Sequence, residues 1–264
     1  MKSTLLYLLF MVVIFSSCQP NYYVPNMHTV PLLTQKGEGF LSVASSNPTF
    51  DSTSQISVQT SYLITNHFAA QTNNAFHNLI TGSTNIINSN NTNKIGTKGQ
   101  MHELGFGYLF SDSIKNRFLK KNIKRTRHIG IWGIAAIGNI ETYIQNQGKL
   151  NANMFLVGIN PTFSKSMKYI SASMSFKTFY LRYTKVEGDL LFGGKEEVEY
   201  LSNRKHNFII EPAMTARIGL EKFKFVFQFL CSNNIKYGNE RQTSLILSLG
   251  LTYNFYTQKN SKID

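Results

Sequence analysis

Residues His206 to Cys231, HNFIIEPAMTARIGLEKFKFVFQFLC, decide the fold. Phe208, Ile210, Met214, Ala216, Ile218 and Leu220 occupy one phase of a period-two pattern, and Asn207, Glu211, Thr215, Arg217 and Gly219 occupy the other. After a tight "EK" break, Phe223, Phe225, Phe227, Phe229 and Cys231 take one face against Lys224 and Gln228. Successive side chains of a strand point to opposite faces, so the stretch reads as two strands, each with one apolar face and one wet face.

The same alternation recurs along the chain. SLILSLGLTYNFY sets Leu245, Leu247, Leu249, Leu251, Tyr253 and Phe255 opposite Ser244, Ser248, Thr252 and Asn254. Ile170 to Phe176 alternates with Ser171, Ser173, Ser175 and Lys177, and Ile56 to Ile64 with Ser57, Gln59 and Ser61. The 20 Phe and 13 Tyr against a single Trp also favour strands. A soluble sheet alternates as well, with its apolar face inward. The balance is tipped by Glu103, Lys177, Glu211 and Arg217, which stand mid-strand in the polar phase while the apolar phase is almost free of charge. Lys or Arg turned toward lipid at the midplane costs about 2–4 kcal/mol, whereas a barrel lumen tolerates charge. The expectation is therefore an inside-out, all-β protein. An open sheet edge in hydrocarbon would leave backbone groups unpaired, so the sheet must close into an antiparallel up-and-down transmembrane β-barrel.

Ten strands are expected: Glu38–Ser46, Gln55–Thr65, Phe68–Leu79, Gln100–Ser111, His128–Glu141, Asn153–Lys165, Tyr169–Tyr183, His206–Leu220, Phe223–Asn233 and Thr243–Tyr256, with counts of 8 or 12 as alternatives. The second, sixth and eighth connections are tight, and the third, fifth, seventh and ninth are long. Outer-membrane barrels join short periplasmic turns to longer outside loops, and an even count with both ends inside puts the tight turns periplasmic. The fourth connection, DSIKNRFLKKNIKRTR, breaks the rule with seven Lys or Arg between Lys115 and Arg127. Two readings stand for it: a solvated loop, or a basic amphipathic turn built on Ile114, Phe118, Leu119 and Ile123. Pro161 and Pro212 fall inside strands, where a missing donor predicts bulges.

The N-terminus adds a location. Leu5 to Phe15 is an eleven-residue apolar run behind Lys2, too short to span a bilayer as a helix, and it ends in Ser16, Ser17 and Cys18. The box "FSSC" resembles a bacterial lipoprotein signal, which implies cleavage before Cys18 and lipidation, palmitate included, at that residue. Several acyl chains anchor durably, at about 0.8 kcal/mol per buried methylene. The expected organisation is a signal at 1–17, an irregular proline-punctuated lead-in at 18–37, a single barrel at 38–256 and a polar tail at 257–264. Cys18 and Cys231 are not a disulfide framework, since the first is claimed by lipid. Export disfavours a nucleic-acid partner despite a net charge of +13.

LGLTYNF, Leu249 to Phe255, resembles the C-terminal signal read by the outer-membrane assembly machinery, which that resemblance makes a partner. "PLLTQKGE", leading into the first strand, resembles the lead-in of lipid-modified outer-membrane barrel proteins of uncharacterised function from Gram-negative bacteria. The resemblance implies the fold, the outer membrane and contact with its lipids, and specifies no activity.

Signals for catalysis are sparse. His28, His67, His77, His102, His128 and His206 contain no H-x-x-x-H pair, so no metal site is expected, and no cofactor pattern is present. His102 and Glu103 are adjacent in a strand and face opposite ways. Asp189 and His206, flanking the seventh loop, are the sole hint of an enzyme, and none is expected. Glu103, Lys177, Glu211 and Arg217 could line a selective pore, or form an ion-pair network in a lumen too narrow to stay open. Three roles remain: a lipid-anchored structural or binding barrel, a small-solute pore or transporter, and a soluble periplasmic lipid-anchored barrel whose Leu245–Phe255 phase faces inward around an apolar small-molecule ligand.

Overall fold

The computed structural model describes residues 20–48, 54–84, 93–115, 124–238, 241–243 and 245–257. The expected signal at 1–17, Cys18, Phe118, Leu119 and Ile123 of the basic run, and the polar tail beyond Thr257 lie outside the described residues. Ten strands form the barrel: β1 (Glu38–Pro48), β2 (Ser54–Leu63), β3 (Phe68–Thr84), β4 (Asn93–Lys115), β5 (Lys124–Ile144), β6 (Gly148–Ser166), β7 (Ile170–Gly188), β8 (His206–Gly219), β9 (Phe223–Cys231) and β10 (Leu245–Tyr256). Each pairs antiparallel with its neighbours in chain order. The ring closes where β10 meets β1, from Glu38 opposite Tyr256 to Pro48 opposite Ile246. One short helix, α1 (Glu197–Asn203), is present among the described residues, and none is long and apolar enough to cross a membrane.

Which phase faces outward is unambiguous. Leu104, Phe106, Ile131, Met214, Phe225 and Leu249 stand on the outer wall, each more than half exposed. Ser171, Ser173, Ser175, Thr215, Gln228 and Ser248 are buried inside. So continuous an apolar surface marks a membrane or a partner, because water does not tolerate it. The soluble alternative fails on this point. It required the Leu245–Phe255 phase inside, yet Leu247, Leu249 and Leu251 are on the outer wall while Ser248 and Thr252 are buried.

Aromatic clusters bound the apolar belt. At the tight-turn end His67, Phe68, Tyr108 and Phe110 stack on one another, and Phe223, Tyr253 and Phe255 do the same nearby. At the opposite end Tyr180, His206 and Phe208 cluster, as do Phe76 and His102. From Tyr169 to Tyr180 a strand rising 3.3 Å per residue at about 40° of tilt climbs about 28 Å, close to the apolar height of an outer-membrane barrel. Aromatic rings favour such interfaces because one part of the ring is apolar and another wet.

Beyond the second girdle the alternation reverses sense. Lys98, Gln100, Asn139, Lys149, Asn151 and Asn153 point outward, while Ile95, Ile140, Ile144, Leu150 and Leu181 pack inside. The strands project past the belt as a cup with an ordinary apolar core. This corrects the expected fifth connection. Thr142–Ala152 is strand except for a turn at residues 145–147, where Asn146 (φ 66°) and Gly148 (φ 97°) take left-handed backbone. At the other end β4 and β5 stay paired to Lys115 opposite Lys124, so both flanks of the basic run are strand, Ile114 included.

The expected bulges at Pro161 and Pro212 are absent. Between β6 and β7 the pairing lapses at Asn160 and Pro161 and resumes in the same register, and between β8 and β9 it lapses at Glu211 and Pro212 likewise. A missing N–H opens the ladder for two residues without a slip. Two register shifts occur among the described residues, at Asn153–Met154 between β6 and β7 and at Thr81–Ser83 between β3 and β4, both away from the prolines. Inside the tight-turn end, Trp132 lies directly on Gly107, where a Cβ would stand 2.4 Å from the indole.

Candidate functional site in the barrel lumen

Residues 21–33 run through the lumen from one end to the other. At the tight-turn end Gly37 donates to the Leu63 carbonyl (3.0 Å) and the Thr34 hydroxyl to Glu38 (2.7 Å), which holds the chain beside the start of β1. Moving inward, Arg217 on β8 donates to the Val30 carbonyl at 2.9 Å. Gln228 on β9 clamps His28 twice, accepting from its backbone N–H (2.7 Å) and donating to its carbonyl (3.0 Å). Gln59 and Asn73 both donate to the Met27 carbonyl, at 2.9 and 2.6 Å, and Gln55 reaches the Pro25 carbonyl at 3.2 Å. Near the far end the Asn21 carbonyl accepts from Thr142 at 2.7 Å, and Tyr183 donates to the Tyr22 carbonyl at 2.9 Å. Tyr22, Tyr23, Val24, Met27 and Val30 are all 2% exposed or less.

Among the described residues the segment makes one isolated parallel β-bridge, Tyr23 to Gln242 of the ninth connection, and joins none of the barrel strands. Its other backbone groups therefore need partners from the wall, since an unpaired buried amide or carbonyl is costly. Lumen amides and hydroxyls supply them. Pro20, Pro25 and Pro31 remove three donors that would otherwise need satisfying, and they hold the chain extended.

The four lumen charges read from the sequence are all buried, and each has a partner. Glu103 on β4 and Lys177 on β7 form an ion pair across the lumen, with Lys177 5.7 Å from the Phe179 ring centre. Glu211 accepts from the Tyr23 hydroxyl (2.9 Å) and Ser232 (3.0 Å) and contacts His28 Nε2 (3.2 Å), whose Nδ1 meets Ser175 at 2.8 Å. Arg217 holds Val30 as described. Two of the four, Glu211 and Arg217, thus grip the segment, while Glu103 and Lys177 satisfy each other.

A cap closes the far end. The Tyr22 hydroxyl donates to Glu197 of α1 at 2.6 Å, and Arg241 pairs with the same carboxylate while stacking on Tyr200 at 4.0 Å and Phe192 at 5.2 Å. The Tyr22 N–H donates to the Arg241 carbonyl and the Thr243 N–H to that of Tyr23. Burial pushes the Tyr22 hydroxyl up, and the Arg241 guanidinium opposes that shift. Arg241 itself is pushed down by burial and raised by Tyr22.

No family model matches the chain, and no curated protein matches it. Among solved structures it is similar to the translocator domain of the autotransporter NalP from Neisseria meningitidis, at 8% identity over 83% of this chain and 86% of that one, with a TM-score of 0.32. It is also similar to a loop-deletion mutant of OmpT, an outer membrane protein of Vibrio cholerae, at 8% identity over 83% and 98% with a TM-score of 0.27. CdiB from Acinetobacter baumannii aligns at 7% identity over 83% and 60% with a TM-score of 0.21.

The lumen phase was legible as alternation, but its partners were not. Gln59 and Gln228 were read as polar-phase residues and His28 as one of six histidines, but their pairing, and any role for Tyr22, Tyr23, Gln55 and Asn73, escaped a reading that took 18–37 as an irregular lead-in. One signal was available: between Cys18 and Lys36 the chain has no Lys, Arg, Asp or Glu, and it is rich in Tyr, Val, Leu and Pro. A solvated tether has the opposite composition. Asp189 and His206 are not brought together. Asp189 accepts from the Lys149 N–H (2.9 Å) beside the β5–β6 turn, and His206 stacks on Tyr180. His102 meets Asn74 at 2.8 Å, away from the buried Glu103. Among the described residues no group of three His, Cys, Asp or Glu could hold a metal ion.

Proposed function

We propose that the protein is an outer-membrane barrel of a Gram-negative bacterium, anchored additionally by lipid at Cys18, with a structural or binding role and a lumen occluded by residues 21–33. The observation behind this reading is the pairing of an exposed apolar belt with a polar lumen whose centre is filled by the protein's own chain. The belt contacts membrane lipids, and β10 presents LGLTYNF to the assembly machinery. Heat modifiability tests the proposal. Detergent-extracted protein should change mobility on a denaturing gel when boiled, and Cys18→Ala protein should still need detergent for extraction. Release of that variant into the soluble fraction would refute the integral barrel.

A second reading is a small-solute pore opened when the segment leaves the lumen. It is favoured by the β2–β3 wall, where both side-chain polar atoms of Gln71 and both ring nitrogens of His77 are buried without a protein partner. Such groups demand water or solute. Conductance in planar bilayers separates the two: the occluded barrel is silent until residues 21–33 are deleted.

A further inference from the structure

Direction matters as much as occupancy. The segment enters the lumen beside the turns at Leu63–Phe68 and Gly219–Phe223 and reaches Thr97, Thr142, Glu197 and Arg241 at the opposite end. That far end bears the long third, seventh and ninth connections, the end expected to face the exterior. Pro20, the first described residue, is buried at this mouth. Only Gln19 separates it from Cys18, and two residues span at most about 7 Å, whereas the thirteen lumen residues, fully extended, cover about 43 Å.

We infer that the protein threads its own N-terminal segment outward, so that the mature N-terminus and the lipid on Cys18 lie on the outer side of the membrane and not in the periplasmic leaflet. This inference rests on the outer-membrane barrel and Cys18 lipid proposed above and on the orientation expected from the connection lengths. While Asn21–Leu33 fills the lumen, Cys18 cannot return to the turn end. The anchor and the first strand then sit on opposite sides of the bilayer.

Three epitope insertions test this in cells with an intact outer membrane: one between Gln19 and Pro20, one after Asn90 in the third connection, and one between Asn66 and His67 in the β2–β3 turn. Heat modifiability of each variant confirms that it folds. Threading predicts that the first two tags bind antibody on intact cells as strongly as after lysis, and that the third is seen after lysis alone. A bright Asn90 tag with an N-terminal tag seen after lysis alone overturns the threading. A silent Asn90 tag with a bright Asn66–His67 tag overturns the orientation. Should the insertion at Gln19 block folding, Asn21→Cys in a Cys18→Ala, Cys231→Ser background replaces it: labelling of intact cells by a membrane-impermeant maleimide is expected, and labelling that requires lysis refutes the proposal.

Discussion

Replacing Glu211 by Gln should loosen the lumen segment without weakening the barrel. The carboxylate takes three contacts, two of them to the segment, from Tyr23 at 2.9 Å and His28 at 3.2 Å. Gln keeps the shape and one acceptor oxygen but loses the charge. Hydrogen bonds to a charged group contribute about 1.5–3 kcal/mol and neutral ones about 0.5–1.5, so each contact drops by about 1 kcal/mol and the seating of the segment by about 2 kcal/mol. That is about a 30-fold shift in its equilibrium, at 1.4 kcal/mol per decade. The barrel itself no longer buries a charge there, so its unfolding temperature on the heat-modifiability gel should not fall. The assay is single-channel recording in planar bilayers, with a deletion of Asn21–Leu33 as the open reference. Conducting time should rise about 30-fold in Glu211→Gln, and Tyr23→Phe combined with it should give less than the product of the two single effects, because the two share one contact. A wild-type protein that conducts as freely as the deletion would refute the occluded lumen. A silent Glu211→Gln beside a conducting deletion would refute the role assigned to Glu211.

Lys177→Met strands the buried Glu103 charge and should cost about 3–5 kcal/mol, read as a lower boiling temperature for the gel shift, while Glu103→Leu added to it should restore most of the loss. Leu249→Arg, on the lipid-facing wall, should destabilise by about 2–4 kcal/mol in a vesicle-refolding titration, whereas a similar change at an outward position of the cup such as Asn151→Arg should have little effect. Gly107→Val drives a side chain into Trp132 and should cost about 1–3 kcal/mol, with a red-shifted emission from this single tryptophan.

The strand phases were legible because the membrane imposes one simple rule on them. In Phe223 to Cys231 the four phenylalanines face out and Lys224 and Gln228 face in, with Val226 and Leu230 the apolar exceptions on the inner phase. The rule ceases beyond the aromatic girdle, and so did the reading. Tyr143, Lys149 and Asn151 point to water there while Ile144 and Leu150 pack inside, and the polar, glycine-bearing stretch between them resembled a loop. The prolines misled for a different reason. Pro161 and Pro212 break single ladder bonds in a closed sheet whose flanking pairs hold the register from both sides, so no bulge is needed. The lumen segment was least legible. Its partners, such as Gln228 for His28 and Asn73 for Met27, lie far away in sequence, and an extended chain held by side-chain amides has no periodicity of its own.

The seam between β1 and β10 is tied to the chain that lies behind it, since the Gly37 carbonyl accepts from the Thr257 N–H and the Gly37 N–H donates to Leu63. Residues 34–37 lead directly from the lumen into β1, so the segment and β1 form a single fold-back. Ring and filling therefore share one hinge: the residues that close the sheet against Ile246–Tyr256 also set where the chain enters the lumen.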